Sequence, residues 1–213
     1  KLKIAEKSHN HSMFYWPRFL SISSPKICNQ FTNIIGKELN FDSSFFDGLL
    51  GNKPLNFFCE NVDRILFDTL DDKGLFNLLK EITPDTILYT GGGIVPKSLL
   101  DVKGLRFLHI HPGFLPDVRG ADGLLWSYLI RKRPGASCFY MSSGLDTGDI
   151  IISRDLPRIR FPIKSTERPS DQILYRLLFI YLDPAIRARI LIEALSKGDD
   201  PFALPSNPQQ KAE

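Results

Sequence analysis

Cysteine is sparse in this sequence and poorly placed for structural chemistry. The three present, Cys28, Cys59 and Cys138, are odd in number and form no Cys-x-x-Cys pair. That pattern argues against a disulfide framework and a structural zinc site, and fits a reducing, cytoplasmic setting. Long apolar runs are missing too. None reaches ~18 residues, so no segment reads as a transmembrane helix and no membrane partner is expected. Nothing near the amino terminus resembles a secretory signal, and a chain opening on Lys1 rather than Met reads as a trimmed or incompletely represented product. Charge of one sign is not in surplus, with 27 basic against 24 acidic residues and a net charge of +3. Arg and Lys form no long block, and no nucleic-acid partner is expected. The mild excess suits an anionic small substrate and equally an ordinary mixed surface. Internal repeats and low-complexity blocks are absent.

What is present is enough apolar material for a sizeable core, 43% of 213 residues, in one domain with at most a small appendix. Residues 1–165 are read as an α/β catalytic domain whose first ~25 residues resist assignment. Residues 166–200 follow as a helix packing on it, and 201–213 as a tail. Leu2 and Ile4 start no sustained period, and His9 and His11 read as exposed loop histidines without chemistry. Arg18–Ser23 predicts a short strand. Ile27, Phe31, Ile34 and Ile35 predict a helix from Pro25 that ends at Gly36 or near Asn40, and Leu55–Phe58 a second strand. Beyond Asp71 the helix, turn, strand rhythm is clearer. A helical face at Leu75, Leu78, Leu79 and Ile82 stops at Pro84, and Thr86–Thr90 reads as a buried strand. Gly91–Gly93 break it into a loop, a short helix runs from Pro96 to Leu100, and Leu105–His111 forms the next strand. A helix over 124–130, strands at 137–141 and 150–153, and a long helix from Asp171 to Ser196 broken or kinked at Pro184 complete the reading.

Chemistry concentrates between residues 106 and 149. His109 and His111 stand two apart at the end of an apolar run, and Asp146 follows between glycines. In a strand, residues two apart share a face, so Phe107, His109 and His111 lie on one side and Leu108 and Ile110 on the other. Pro112 and Gly113 end the strand and leave both imidazoles at its carboxyl end, where open parallel α/β sheets place their ligands. Imidazole titrates near neutral pH and a carboxylate can orient it, which is what general acid/base catalysis requires.

The stretch His109-Ile-His111-Pro112-Gly113, Leu115-Pro116, Arg119-Gly120-Ala121 and Gly144-Leu145-Asp146-Thr147-Gly148 resembles the 10-formyltetrahydrofolate-dependent formyltransferases. Their motif runs Asn-x-His-Pro-Ser, Leu-Leu-Pro, Gly, then Asp-Thr-Gly or Asp-Ala-Gly. The resemblance covers residues 70 to 160. It implies an open, mostly parallel Rossmann-like sheet with flanking helices and a C-terminal helical segment. It also implies that His111 is the catalytic imidazole and Asp146 the carboxylate that tunes it. His109 stands where the family has an Asn that donates to the formyl oxygen, and a histidine N–H can take that role with altered geometry. By the same likeness, main-chain groups of Gly92, Gly93, Ile94 and Val95, and of Met141, Gly144 and Leu145, hold the pterin of 10-formyltetrahydrofolate. Arg119 and Trp126 are candidates to serve the acceptor, with pairing to Asp117 or Asp122 the alternative for Arg119, and no metal is needed.

The resemblance implies a small-molecule amine as acceptor. A methionyl-tRNA role is not expected, because little chain follows the last motif strand where those enzymes carry a second domain. A glycinamide ribonucleotide role is not expected either, because no glycine-rich phosphate loop stands near residues 18–26. An amino-sugar nucleotide is the favoured acceptor, a hydroxyornithine-type siderophore amine the alternative, and a homodimer an allowed assembly. Two readings from other classes stay open. One is a metal-dependent hydrolase using His109, His111 and Asp146, although His9 and His11 are the only other histidines and the chain is short for the barrel that hosts such sites. The other is an inactive folate- or nucleotide-binding relative.

Overall fold

The computed structural model describes residues 2–7, 15–49, 54–57, 59–82, 84–91, 93–163 and 168–209. His9 and His11 lie outside the described residues. The chain divides into two compact units, Lys1–Thr69 with Ile159–Ala185, and Leu70–Arg158 with Ile186–Glu213.

The first unit holds β1 (Leu2–Lys7), α1 (Tyr15–Ser23), α2 (Pro25–Leu39), α3 (Ser43–Leu49), β2 (Val62–Phe67) and α7 (Asp171–Leu177). β1 pairs with β2 in parallel, Leu2 opposite Val62. Leu2 and Ile4 gave no sign of this strand because its partner lies some 60 positions away, beyond any local period. The strand expected over Arg18–Ser23 is instead part of α1. A short apolar run fits either period, and Leu20, fully buried, closes a helical turn through its carbonyl and the Ser24 amide at 2.9 Å. The strand expected at Leu55–Phe58 is a 3-10 turn over Leu55–Phe57, with Phe58 outside the described residues. The helix from Pro25 appears as read and ends on Asn40, which adopts left-handed φ 59. Phe31 stacks on Phe161 with ring centroids 3.9 Å apart. Beside it the Cys28 thiol donates to the Leu20 carbonyl at 3.3 Å. Burial pushes the Cys28 thiol and the Tyr181 hydroxyl up from their ordinary values.

The second unit contains α4 (Lys73–Glu81), β3 (Asp85–Tyr89), α5 (Lys97–Leu100), β4 (Leu105–His111), α6 (Gly123–Arg131), β5 (Gly135–Tyr140) and β6 (Ile150–Asp155). Asp72 caps α4 by accepting from the amides of Gly74 and Leu75. The four strands form one sheet in the order β3-β4-β5-β6. β3 and β4 run parallel, whereas β4, β5 and β6 continue antiparallel, so the α/β class holds with a mixed sheet. The link from β5 to β6 carries no helix and is too short for a parallel crossover. β4 and β5 are buried on both faces except at Arg106, which makes them the core of this unit. α8 (Asp183–Leu195) continues from a π-helical turn over Leu178–Leu182, just ahead of Pro184. Proline removes a helical hydrogen bond and crowds the carbonyl four residues back, and the wider turn absorbs that conflict.

Phe139 is fully buried in β5. Phe139→Ala is expected to lower unfolding free energy by roughly 3–5 kcal/mol, read from urea titrations. A loss below ~1 kcal/mol contradicts this packing.

Candidate active site

β4 delivers both histidines to one end of the sheet, as the alternation anticipates, and both are buried. Their surroundings differ. His109 lies opposite Tyr89 in the β3–β4 register, and its Nδ1 is 2.7 Å from the Tyr89 carbonyl oxygen. A carbonyl only accepts, so this nitrogen carries the proton. A neutral His109 therefore presents its lone pair at Nε2, and only the imidazolium offers an N–H there. Its ring meets Phe139 edge to face, centroids 5.7 Å apart at 84°.

His111 is held more tightly. Its Nε2 donates to the Val118 carbonyl at 3.0 Å, and its Nδ1 faces Asp146 Oδ2 at 3.5 Å. Two glycines make room for the ring. A Cβ on Gly113 would stand 2.4 Å from Nε2, and one on Gly123 would stand 2.9 Å from both Nε2 and Cε1. The turn that brings Val118 back is pinned by Ser137 of β5. Its buried hydroxyl donates to the Gly113 carbonyl and accepts from the Leu115 amide, both at 2.8 Å. Gly123 opens α6, so that helix starts against the imidazole.

Asp146 sits in the β5–β6 loop with φ 49, in the left-handed region. Its Oδ2 accepts from the Gly120 amide at 2.6 Å. Gly148 lets the loop close: its φ is +118, and a Cβ there would lie 2.0 Å from the Tyr140 carbonyl oxygen. The Asp-Thr-Gly order thus has a steric cause. Burial is the largest influence on His111 and pulls its pKa below the ordinary 6.5, with Asp146 and the Val118 carbonyl opposing and His109 and Arg187 adding to the depression.

The other expected site residues fall around this pair. Arg119 donates through Nη2 to Gln209 Oε1 at 2.8 Å. Its Nε is buried without a hydrogen-bond partner. Met141 is half-buried, and its amide donates to the Phe107 carbonyl at 2.7 Å. Gly144 and Leu145 lead into Asp146, Leu145 being exposed. In the loop after β3, Val95 is buried, Ile94 exposed, and Gly93 has φ +93 with open space where a Cβ would stand, while Gly92 lies outside the described residues. Trp126, half exposed, sits on α6 one turn beyond Gly123. Gln209 was not anticipated, because an amide in a Pro-rich segment gives no local signal. Gly113 and Gly120 belong to the recognised motif, but their service to His111 and Asp146 is visible only in three dimensions. Among the described residues, no group of three or more His, Cys, Asp or Glu side chains is arranged to hold a metal ion, and no helix is long and apolar enough to cross a membrane.

The chain is similar to known proteins. Methionyl-tRNA formyltransferase from Syntrophus aciditrophicus is 37% identical over 90 residues, 41% of this chain and 29% of that protein. Methionyl-tRNA formyltransferase from Rickettsia prowazekii is 42% identical over 90 residues, 41% of this chain and 30% of that protein. The chain thus spans less than a third of the length of these two relatives. Among solved structures, phosphoribosylglycinamide formyltransferase from Streptococcus pneumoniae is 20% identical with a TM-score of 0.47, over 92% of this chain and 98% of that one. A family profile described as formyl transferase matches residues 62–168, half of the chain, with His109, His111 and Asp146 inside the match. The chain belongs to the formyl transferase family.

Proposed function

We propose that the chain transfers the formyl group of 10-formyltetrahydrofolate to an amine of a small acceptor, with His111 and Asp146 handling the proton. The observation that carries this reading is two proton acceptors converging on one point. Because Nε2 bears the proton given to Val118, Nδ1 of a neutral His111 faces the Asp146 carboxylate as a lone pair at 3.5 Å. Two acceptors so placed favour a donor between them, an amine N–H or a water. Burial favours the neutral ring, which is the form that accepts a proton.

In the transfer the acceptor nitrogen bonds to the formyl carbon, the bond from that carbon to the folate nitrogen breaks, and one proton passes from amine to folate nitrogen. His109, whose Nδ1 donates to the Tyr89 carbonyl, stands where the family's Asn meets the formyl oxygen. Open space at Gly93, the buried anchor at Val95 and the exposed Ile94 and Leu145 support a flat pterin lying against 93–95 and 141–145. The half-exposed Trp126 ring, one turn from the glycine that touches His111, and the Arg119 guanidinium beside the Asp146 loop support an acceptor with both a flat ring and an anion. An amino-sugar nucleotide has both. Methionyl-tRNA is the second reading, favoured by the names of the relatives from Syntrophus aciditrophicus and Rickettsia prowazekii.

The test is to supply 10-formyltetrahydrofolate with amino-sugar nucleotides, hydroxyornithine, glycinamide ribonucleotide or methionyl-tRNA and to follow tetrahydrofolate release. Turnover is expected with an amino-sugar nucleotide, falling about 10²–10⁴-fold in His111→Ala. Turnover only on methionyl-tRNA replaces the acceptor, and tight folate binding with no turnover on any of them replaces enzyme with inactive relative. A second measurement needs no substrate. The His111 imidazole, followed by NMR, is expected to titrate below 6.5, and lower still in Asp146→Asn, which removes the largest influence raising it. An unchanged titration in that variant contradicts the pairing.

A further inference from the structure

Residues 201–209 form a strap fastened at both ends. At its start, Arg106 Nη1 donates to the Phe202 carbonyl at 2.7 Å. The Tyr140 hydroxyl donates to the Pro201 carbonyl at 2.7 Å and accepts from the Leu204 amide at 2.9 Å. The Arg106 guanidinium lies 3.3 Å over the Tyr140 ring, and Leu204 is buried. Toward its end, Asn207 exchanges two backbone hydrogen bonds with Ile150 at the start of β6, at 2.8 and 2.9 Å.

Two residues further on, the Gln209 side chain joins two loops. Its Oε1 accepts from Arg119 Nη2 at 2.8 Å, and its Nε2 donates to the Asp146 backbone carbonyl at 2.9 Å. The partners fix the orientation of the amide, since a guanidinium only donates and a carbonyl only accepts. Arg119 adjoins Gly120, whose amide holds the Asp146 carboxylate at 2.6 Å. One amide therefore ties the backbone of residue 146 to the segment that grips its side chain. Asp146 needs such support, because a non-glycine residue at φ 49 is strained and persists only where its surroundings hold it.

We propose that Gln209 is a positioning residue, its amide holding the Asp146 loop against the 119–120 segment so that the carboxylate stays opposite His111. Its catalytic meaning rests on the reading in the previous subsection; its structural meaning does not. Four groups act on the His111 ring: Asp146, the Val118 carbonyl, His109, and Arg187, which donates to the Ile110 carbonyl at 2.7 Å. Of these, Asp146 is the one carried on the loop that Gln209 fastens, so release of the clamp moves one charge away from the imidazole.

Two variants test this. Gln209→Met keeps the side-chain volume and removes both hydrogen bonds, whereas Gln209→Glu keeps an acceptor for Arg119 and sets a carboxylate against the Asp146 carbonyl. In each, the His111 titration is followed by NMR, kcat and KM are measured for formyl transfer, and Tm is recorded. Both variants are expected to keep a near-native Tm, and Gln209→Met, which adds no charge, to titrate at His111 below the wild-type protein, toward the value in Asp146→Asn. Both are expected to lose roughly tenfold or more in kcat, with KM for the folate substrate changing far less. A His111 titration in Gln209→Met equal to that of the wild type overturns the proposal, whether or not Tm falls, and so does a wild-type kcat in Gln209→Glu. If the wild-type protein transfers no formyl group, the formyltransferase reading fails, and the titrations still decide the clamp.

Discussion

The hydrogen bond from His111 Nε2 to the Val118 carbonyl is the constraint around which the site is arranged. It fixes which ring nitrogen bears the proton and which edge meets Asp146. The bond forms only if the chain doubles back after β4 within seven residues, and only if two positions beside the ring have no side chain. Ser137 supplies the first condition by bridging Gly113 and Leu115. Gly113 and Gly123 supply the second, and Gly123 in turn decides where α6 begins.

The electrostatics follow from the same packing. A ring buried this far resists charge, since low-dielectric surroundings disfavour the imidazolium. A carboxylate nearby pulls the other way, and here burial prevails. The His111 ring is thereby biased toward its proton-accepting form while its acid partner remains in reach. The cost is carried in the backbone, where Asp146 adopts a conformation that an L-residue seldom takes unaided. Hydrogen bonds from Gly120 and Gln209 brace that turn, and Gly148 allows it to close beneath Tyr140.

How much of this is legible in the sequence depends on the range of the interaction. The alternation of β4 placed His109 and His111 at a strand end, and the ordered motif singled out Asp146 across 34 intervening positions. The helices from Pro25 and Asp71 declared themselves through regular apolar spacing and a proline near a start or just past an end. The first 70 residues were harder to read. Arg18–Ser23 is too short for its period to separate strand from helix, and β1 depends on a partner that no local pattern announces. The missing family Asn leads one to expect different roles for the two histidines. The reason that one faces the Tyr89 carbonyl and the other Asp146 required the sheet register. Gln209 was invisible because its significance comes from where the strap ends, not from its neighbours in sequence.

The central claim is that a neutral, buried His111 accepts the proton from the acceptor amine with Asp146 beside it. The most direct measurement is the pH dependence of kcat/KM for formyl transfer in the wild-type protein and in Asp146→Asn, with the same acceptor so that its own ionisation cancels. The account predicts an acid limb with a midpoint below 6.5 in the wild type, displaced to lower pH in the variant. An acid limb at the same pH in both proteins would contradict it.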